Sequence, residues 1–468
     1  MATALLIAVL PSLELLFHSL LYFKGLKSTN SRSITDSLNN KPLVSIIIPV
    51  KNEPFELFER ALKSIASMTW PKEKLEVIII SDDDKDRSLK LRNYVNSLAS
   101  KLNLNIIFYH RDQPRGGRTG ALNDGLRLAH GKYIITYDID NVIEPNALEE
   151  AIKLLEQDSD KVAIVLRWKP LNMDTRVSEM QAYALDYLMD SLYRGFQGLG
   201  LPVFPLGSGT VYRKDKLLEL NGWDEARIQD DMEIGIRMFS KGYRTGFIDN
   251  AGIRVELPPT IKALRVQQCR WSYGAMDALL SRLRYLLMSK NLSFKAKFLS
   301  IVFLLQYTPV VAVTFGIILL TLSIIFNLLI EEVLFTLSVL SVIFASLYIY
   351  SFIHAHRLRG RSTWSSLVML GRSGAAVTFL APWITWYTIR AILRIPYRYV
   401  ITPKGKKAYD VGVSKRISSG HIVGFTVAIL LIFFALLALV KGYYFAVTPY
   451  ILFLLAITYV LYRWWNEL

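Results

Sequence analysis

Apolar residues are spread along this chain of 468 residues in two different ways. Between 42 and 297 they come in short blocks separated by polar stretches. Val44–Val50, Leu75–Ile80, Leu104–Tyr109 and Lys132–Tyr137 read as strands buried on both faces, while Phe55–Ser67 and Arg87–Ala99 carry apolar positions at helical spacing. This alternation predicts an α/β, Rossmann-like domain with a mostly parallel sheet over 42–255. From 298 the pattern changes. Residues 298–330 contain no charged side chain, and further apolar stretches lie at 333–353, 373–389, 422–440 and 442–462. A run of about 20 apolar residues is enough to span a bilayer. Residues 1–23, interrupted only by Glu14 and His18, are too long for a signal peptide and lack its small-residue cleavage pattern, so a retained anchor is expected over 1–24.

Composition agrees with a chain that is part globular and part membrane: 52% of the residues are hydrophobic, yet 20% are charged. The net charge of +16 matters through its position. Lys24, Lys27 and Arg32 follow the first apolar run, Arg357, Arg359, Arg361 and Arg372 follow the third, and Arg390–Arg416 is strongly basic with Asp410 as its one acid. Because these charges adjoin membrane segments, a nucleic-acid partner is not expected. By the positive-inside rule they all face the cytoplasm. A span at 373–389 would put basic loops on opposite faces, so this stretch is expected to lie along the interface. The resulting layout has an anchor at 1–24, an α/β domain at 42–255, interfacial helices at 256–297, two membrane helices at 298–356, an interfacial segment at 364–396, a loop at 397–418 and two membrane helices at 420–465. Five spans, an α/β portion in the cytoplasm and outer turns at Glu331-Glu332 and Lys441 follow. The single Cys269 excludes an intrachain disulfide and a cysteine zinc site.

Ligands of such sheets gather at the carboxyl ends of the strands. Here those ends carry Asn52-Glu53, Asp82-Asp83-Asp84 and Asp138-Ile139-Asp140. The middle set also suits plain turns and helix caps. Two carboxylates one residue apart at a strand exit offer oxygen ligands to a hard cation that also binds substrate phosphates. An ordered series follows: Gly207-Ser208-Gly209, Gly222-Trp223-Asp224-Glu225, Gln229-Asp230-Asp231 and Gln267-Gln268-Cys269-Arg270-Trp271. This series resembles the family 2 glycosyltransferases of GT-A fold, above all the processive synthases of cellulose, hyaluronan, poly-N-acetylglucosamine and related β-glycans. Arg115-Gly116-Gly117-Arg118-Thr119-Gly120-Ala121-Leu122-Asn123 matches a further segment of that family, although a plain helix-entry turn would also account for it. Tyr399-Val400-Ile401-Thr402-Pro403-Lys404-Gly405 resembles the gating loop of cellulose synthases, with a lipid-facing basic loop as the alternative.

The resemblance implies an inverting, processive transfer from a nucleotide-sugar donor, UDP-linked in many of these enzymes, to a polysaccharide acceptor beside the lipid bilayer of the cell membrane. Asn52 and Glu53 with Asp82 or Asp83 would hold the nucleotide, Arg118 would approach its phosphates, and Asp138 with Asp140 would hold Mg²⁺ or Mn²⁺. Asp231 would be the general base, with Asp230 as its rival because Gln-Asp-Asp stands where the family has Thr-Glu-Asp. Gln267, Arg270 and Trp271, together with Gly207, Ser208 and Gly209, would meet the diphosphate and the acceptor; Trp271 also suits a plain core position. Tyr399, Thr402 and Lys404 would close over the donor. Spans at 298–330, 333–353, 422–440 and 442–462 could enclose a conduit for the product. The nearest alternative is a single transfer to a polyprenyl phosphate. A transporter with a nucleotide-binding domain is disfavoured, because the spans hold almost no ionisable residue.

Overall fold

The computed structural model describes residues 5–27, 40–397 and 417–468, so Tyr399, Thr402 and Lys404 lie outside the described residues. Eight strands form one sheet: β1 (Val44–Val50), β2 (Leu75–Ser81), β3 (Asn105–His110), β4 (Tyr133–Thr136), β5 (Val142–Ile143), β6 (Lys161–Pro170), β7 (Thr210–Arg213) and β8 (Arg244–Val255). Their spatial order is β3-β2-β1-β4-β7-β6-β8-β5. The first four are parallel, and β1 and β2 are buried along almost their whole length, as their Val and Ile runs require. Beyond β4 the sheet is mixed. β7 runs antiparallel to both β4 and β6, β6 and β8 are parallel, and β5 returns antiparallel to β8. Strands of two and four residues such as β5 and β7 leave little periodicity in the sequence, whereas β6 and β8, of ten and twelve residues, are long enough to do so and lie outside the strands that the sequence pattern singles out.

The helices are, in order, α1 (Leu10–Leu26), α2 (Phe55–Ala66), α3 (Lys85–Leu102), α4 (Gly117–Leu128), α5 (Ala147–Gln157), α6 (Arg176–Leu188), α7 (Arg194–Gly198), α8 (Lys214–Glu219), α9 (Asp230–Ser240) and α10 (Ile261–Met288). A π-helical turn, Met189–Tyr193, joins α6 to α7. Six apolar helices complete the chain: α11 (Phe294–Leu304), α12 (Thr308–Ile325), α13 (Glu331–Arg357), α14 (Thr363–Ile392), α15 (Ser419–Val440) and α16 (Val447–Arg463). By length and composition α12, α13, α14 and α15 could each cross a membrane, and α16 is a shorter apolar helix. The charge-free run 298–330 is therefore divided, with Gln306 and Tyr307 between α11 and α12, and Pro309 in the first turn of α12, a position proline tolerates.

Two polar ties fix the ends of this bundle. At one end Lys441 Nζ donates to the carbonyls of Ile324 (3.0 Å) and Ile325 (2.6 Å), while Glu331 Oε1 accepts from the N–H groups of Phe445 (2.9 Å) and Ala446 (3.1 Å). The other end meets the sheet through buried ions. Asp190, on the π turn and 1% exposed, accepts from Arg167 of β6 (2.9 Å) and from Arg359, just past α13 (2.7 Å), with Arg194 at 3.2 Å. Arg361 pairs with Asp186 at 2.8 Å, and Asp249 of β8 pairs with Arg167 and Arg194. Burial alone would raise Asp190, but the guanidinium groups of Arg167, Arg359 and Arg194 hold its carboxyl below the usual range. Helix α14 touches α6 and α10 along its length. Its first turns reach Tyr183 through Ser365 (3.2 Å) and Glu179 through Arg372 (2.8 Å), and Trp383 lies 4.9 Å from the guanidinium of Arg265 on α10.

Two outcomes follow from these contacts. Asp190→Ala leaves several buried guanidinium groups short of a partner, a change that costs about 3–5 kcal/mol; the thermal midpoint of the purified protein should drop sharply, and an unchanged midpoint would contradict the docking role. If α14 lies along the interface, a thiol placed at Ile417 in a Cys269→Ser background should react with a membrane-impermeant reagent only from the cytoplasmic side. Reaction from the outside would make α14 a span.

Candidate active site

Polar residues at the carboxyl ends of β1, β2 and β4 face a cavity of about 1080 Å³ that extends past α9 and α10 to α14. At one end of the cavity the chain leaves β1 through Asn52, whose φ of 57° is left-handed and whose N–H donates to Asp83. Asn52 and Asp83 brace each other and do not line the cavity, whereas Glu53 and Asp82 do. The Asp82 carboxylate is held by a residue that motif reading passed over. Buried Arg111 grips it with two hydrogen bonds of 2.5 Å and also donates to the carbonyls of Arg115 (2.8 Å) and Gly117 (3.0 Å). The glycine loop is thereby drawn under β2. Gly120 is needed there, since a Cβ would stand 2.0 Å from the Arg115 carbonyl oxygen.

Arg118, in the first turn of α4, is the hub of the site. It donates to Asp138 (3.0 Å), to the Gly207 carbonyl (2.5 Å) and to Asp230. Asp138 and Asp140 follow β4, and both line the cavity. Ser208 shapes their turn: its hydroxyl accepts from the Asp138 N–H (2.9 Å) and the Asn141 amide (2.7 Å), and its carbonyl accepts from the Trp168 indole (2.8 Å). Arg60 donates to the Asp140 carbonyl (2.7 Å) and pairs with Glu256 (2.6 Å). Gly207 and Ser208 belong to the wall, while Gly209 does not; its φ of 81° and the Ile253 methyl 2.7 Å from a would-be Cβ account for the glycine. The donor set fits a divalent cation in chemistry, two hard carboxylates at one strand exit. Among the described residues no third His, Cys, Asp or Glu joins them.

Asp230 and Asp231 open α9, and both are buried. Asp231 accepts from the N–H groups of Gly207 (2.9 Å) and Met232 (2.8 Å). Burial first, and the charge of Asp230 second, push its carboxyl up to about 7. Asp230 is also raised, by burial against the pull of Arg118. Helix α10 crosses over α9 at Gly274, where a Cβ would meet the Gln229 amide oxygen at 2.7 Å. That close approach brings Gln267, Arg270 and half-buried Trp271 into the same cavity wall. Twelve of the residues given candidate roles in the sequence thus share one cavity: Glu53, Asp82, Arg118, Asp138, Asp140, Gly207, Ser208, Asp230, Asp231, Gln267, Arg270 and Trp271.

The model of the glycosyl transferase family group 2 matches residues 133–400, and that of glycosyl transferase family 2 matches 45–220. Over 404 residues the chain is 32% identical to a probable glycosyltransferase of Sulfolobus acidocaldarius, covering 86% of this chain and 85% of that protein. A probable glucomannan 4-beta-mannosyltransferase of Arabidopsis thaliana is 27% identical over 269 residues, which cover 55% of this chain and 49% of that protein; the chain spans about half the length of the plant relatives it matches. In fold it is similar to a mannosyltransferase from Pyrobaculum calidifontis solved in complex with GDP-Man and Mn²⁺, with a TM-score of 0.50 and 18% identity over 84% of this chain and 98% of that one. The chain belongs to glycosyl transferase family 2, enzymes that move a glycosyl group from a nucleotide-sugar donor to an acceptor.

Proposed function

We propose that this enzyme is an inverting, processive hexosyltransferase that lengthens a β-linked polysaccharide at the cytoplasmic face of the cell membrane and passes it outward between its own apolar helices. The observation that carries the reading is the continuity of one cavity, from Asp138 and Asp140 through Asp231 and Trp271 to the wall of α14. In the proposed step Asp231 takes the proton of an acceptor hydroxyl. The oxygen attacks the anomeric carbon from the face opposite the nucleotide, and the diphosphate leaves with the bonding pair, so the configuration inverts. A carboxyl raised to about 7 supports proton acceptance near neutral pH, and help of this kind is worth on the order of 10² to 10⁴ in rate.

Mg²⁺ or Mn²⁺ held by Asp138 and Asp140 would supply Lewis-acid stabilisation of the leaving group. Arg118 and Arg270 bring planar guanidinium groups that bind phosphate oxygens bidentately. Glu53 and Asp82 face the nucleotide, and Trp271 offers a stacking face to the terminal sugar. A hexose is supported by the names of the plant relatives, and the GDP-Man of the Pyrobaculum structure puts a GDP-linked donor beside a UDP-linked one. Aliphatic residues in the far wall, among them Leu188, Leu380 and Ile384, favour a second reading, single transfer to a polyprenyl phosphate.

Loss of one cavity carboxylate in Asp140→Asn should abolish transfer while the protein stays folded; full activity in that variant, or full wild-type activity in excess EDTA, would sink the metal assignment. The base and the acceptor platform are separable. Asp231→Asn is nearly isosteric but accepts no proton, so transfer should fall at least 10²-fold while nucleotide binding persists. Trp271→Ala should stop elongation yet leave slow donor hydrolysis, because water needs no platform. Normal polymer from Asp231→Asn together with an inactive Asp230→Asn would move the base by one residue.

A further inference from the structure

Helix α10 carries Gln267, Arg270 and Trp271 between two fixed points. One is the crossing over α9 at Gly274. The other is its first turn, where N–H groups have no partner within the helix. The Thr260 hydroxyl accepts from the Ala263 N–H at 3.3 Å. The segment that enters α10 from β8 is pinned by α6 and the residues before it: Asn172 donates to the Leu257 carbonyl (3.0 Å), Gln181 to that of Pro258 (2.8 Å) and Thr175 to that of Pro259 (2.7 Å). The Ile261 N–H is met by a residue 206 positions away, Glu467, whose Oε2 accepts it at 3.3 Å. Glu467 stands on a 3₁₀ turn, Trp465–Glu467, that follows α16. That turn is seated against the start of α15. There the Ser418 hydroxyl donates to the main-chain oxygen of Leu468 (2.7 Å), the His421 ring meets Trp465 edge-on at 4.3 Å, and a Cβ on Gly420 would stand 3.1 Å from Leu468. Burial pushes the Glu467 carboxyl up to about 7, against the pull of the Ile261 N–H and of Arg176.

We propose that Glu467 is a positioning residue for the transfer: by holding the first turn of α10 against α15 and α16, it sets where Gln267, Arg270 and Trp271 stand in the cavity. Glu467 does not line the cavity itself. Trp271 is ten residues beyond Ile261, about 15 Å along the helix, so Glu467 acts through α10. With 28 residues and its crossing at Gly274, α10 stays helical when one terminal hydrogen bond is lost; what changes is the direction of the freed end. A shift of about 1 Å at a reacting centre costs on the order of 10²-fold in rate. The assignment rests on the reading of Gln267, Arg270 and Trp271 as the face that meets the acceptor and the diphosphate.

The test uses the full-length enzyme in nanodiscs with GDP-mannose, UDP-glucose or UDP-N-acetylglucosamine plus Mn²⁺, and with oligosaccharide and polyprenyl-phosphate acceptors. Glu467→Leu, similar in size but without an accepting oxygen, should raise the acceptor KM about 10-fold, the loss of one hydrogen bond. The donor KM should move less than about threefold, because Glu53, Asp82 and Arg118 line the cavity from other elements. Glu467→Gln keeps an accepting oxygen and should restore the wild-type value. Trp465→Ala, which loosens the turn from His421, should raise the acceptor KM as well, and it keeps the test open if the leucine variant fails to fold. An acceptor KM that neither Glu467→Leu nor Trp465→Ala alters overturns the positioning role, as does a Glu467→Gln enzyme as impaired as the leucine variant. Equal losses in donor and acceptor KM also overturn it, since they mark general destabilisation. Wild type that transfers from none of these donors overturns the glycosyl-transfer reading, and the positioning role with it.

Discussion

Burying two adjacent carboxylates at the start of one helix is the constraint around which this site is assembled. Asp230 and Asp231 stand side by side at the N-terminus of α9, where backbone N–H groups favour negative charge but burial opposes it. Their compensation comes from outside the helix: Arg118 reaches Asp230, and the Gly207 N–H reaches Asp231. Arg118 can do this only if α4 begins close by, which calls for Gly116 at a φ of 62° and for Gly120 beneath the Arg115 carbonyl. Helix α10 can close over the pair only because Gly274 lets it lie against Gln229. Several glycines that look like loop punctuation are thus consequences of one electrostatic demand.

A second set of buried charges joins this site to the apolar helices. Helix α6 contributes Met180 and Leu185 to the cavity wall, and the π turn that follows carries Asp190 into contact with Arg359 beyond α13. Wall and anchor are therefore parts of one continuous helical segment. Breaking a buried pair of this kind is strongly unfavourable, so displacement of α13 relative to the sheet would be felt in the cavity before the ions separated. The π turn itself is a common mark of functional segments, and here it is the place where the ionic anchor leaves the helix.

What the sequence disclosed depended on whether the signal was local. Strands β1, β2 and β4 were legible because burial on both faces leaves uninterrupted Val and Ile runs, and the acids that end them stood out at once. Asp138 and Asp140 are legible from their place at a strand exit, whereas the roles of Asp231 and the Gln267–Trp271 segment are what the resemblance to family 2 glycosyltransferases implies. Arg111, Arg60, Glu256 and Trp168 are not legible, since each acts on a partner far away in the chain and no spacing announces it: Arg60 meets Glu256 across 196 positions. The break between α11 and α12 had a usable signal. Gln306, Tyr307 and Pro309 interrupt an apolar run with polar and turn-forming residues, but the absence of charge masked it.

The charge balance of the cavity bears on how donor and cation would enter together. Although the chain carries a net charge of +16, the described wall holds Glu53, Asp82, Asp138, Asp140, Asp230, Asp231 and Glu256 against Lys51, Arg118 and Arg270. Arg111 and Arg60 answer Asp82 and Glu256 from behind, and the excess that remains is negative. An anionic diphosphate entering such a wall is opposed, and so is any arrangement in which Arg118 leaves Asp138 for a phosphate without replacement of its charge. A divalent cation held beside Asp138 and Asp140, as proposed, would reverse both terms. Each ligand would then improve the site for the other, so the coupling would be reciprocal, and nucleotide binding without the cation would be weakened by the same residues that favour it with the cation.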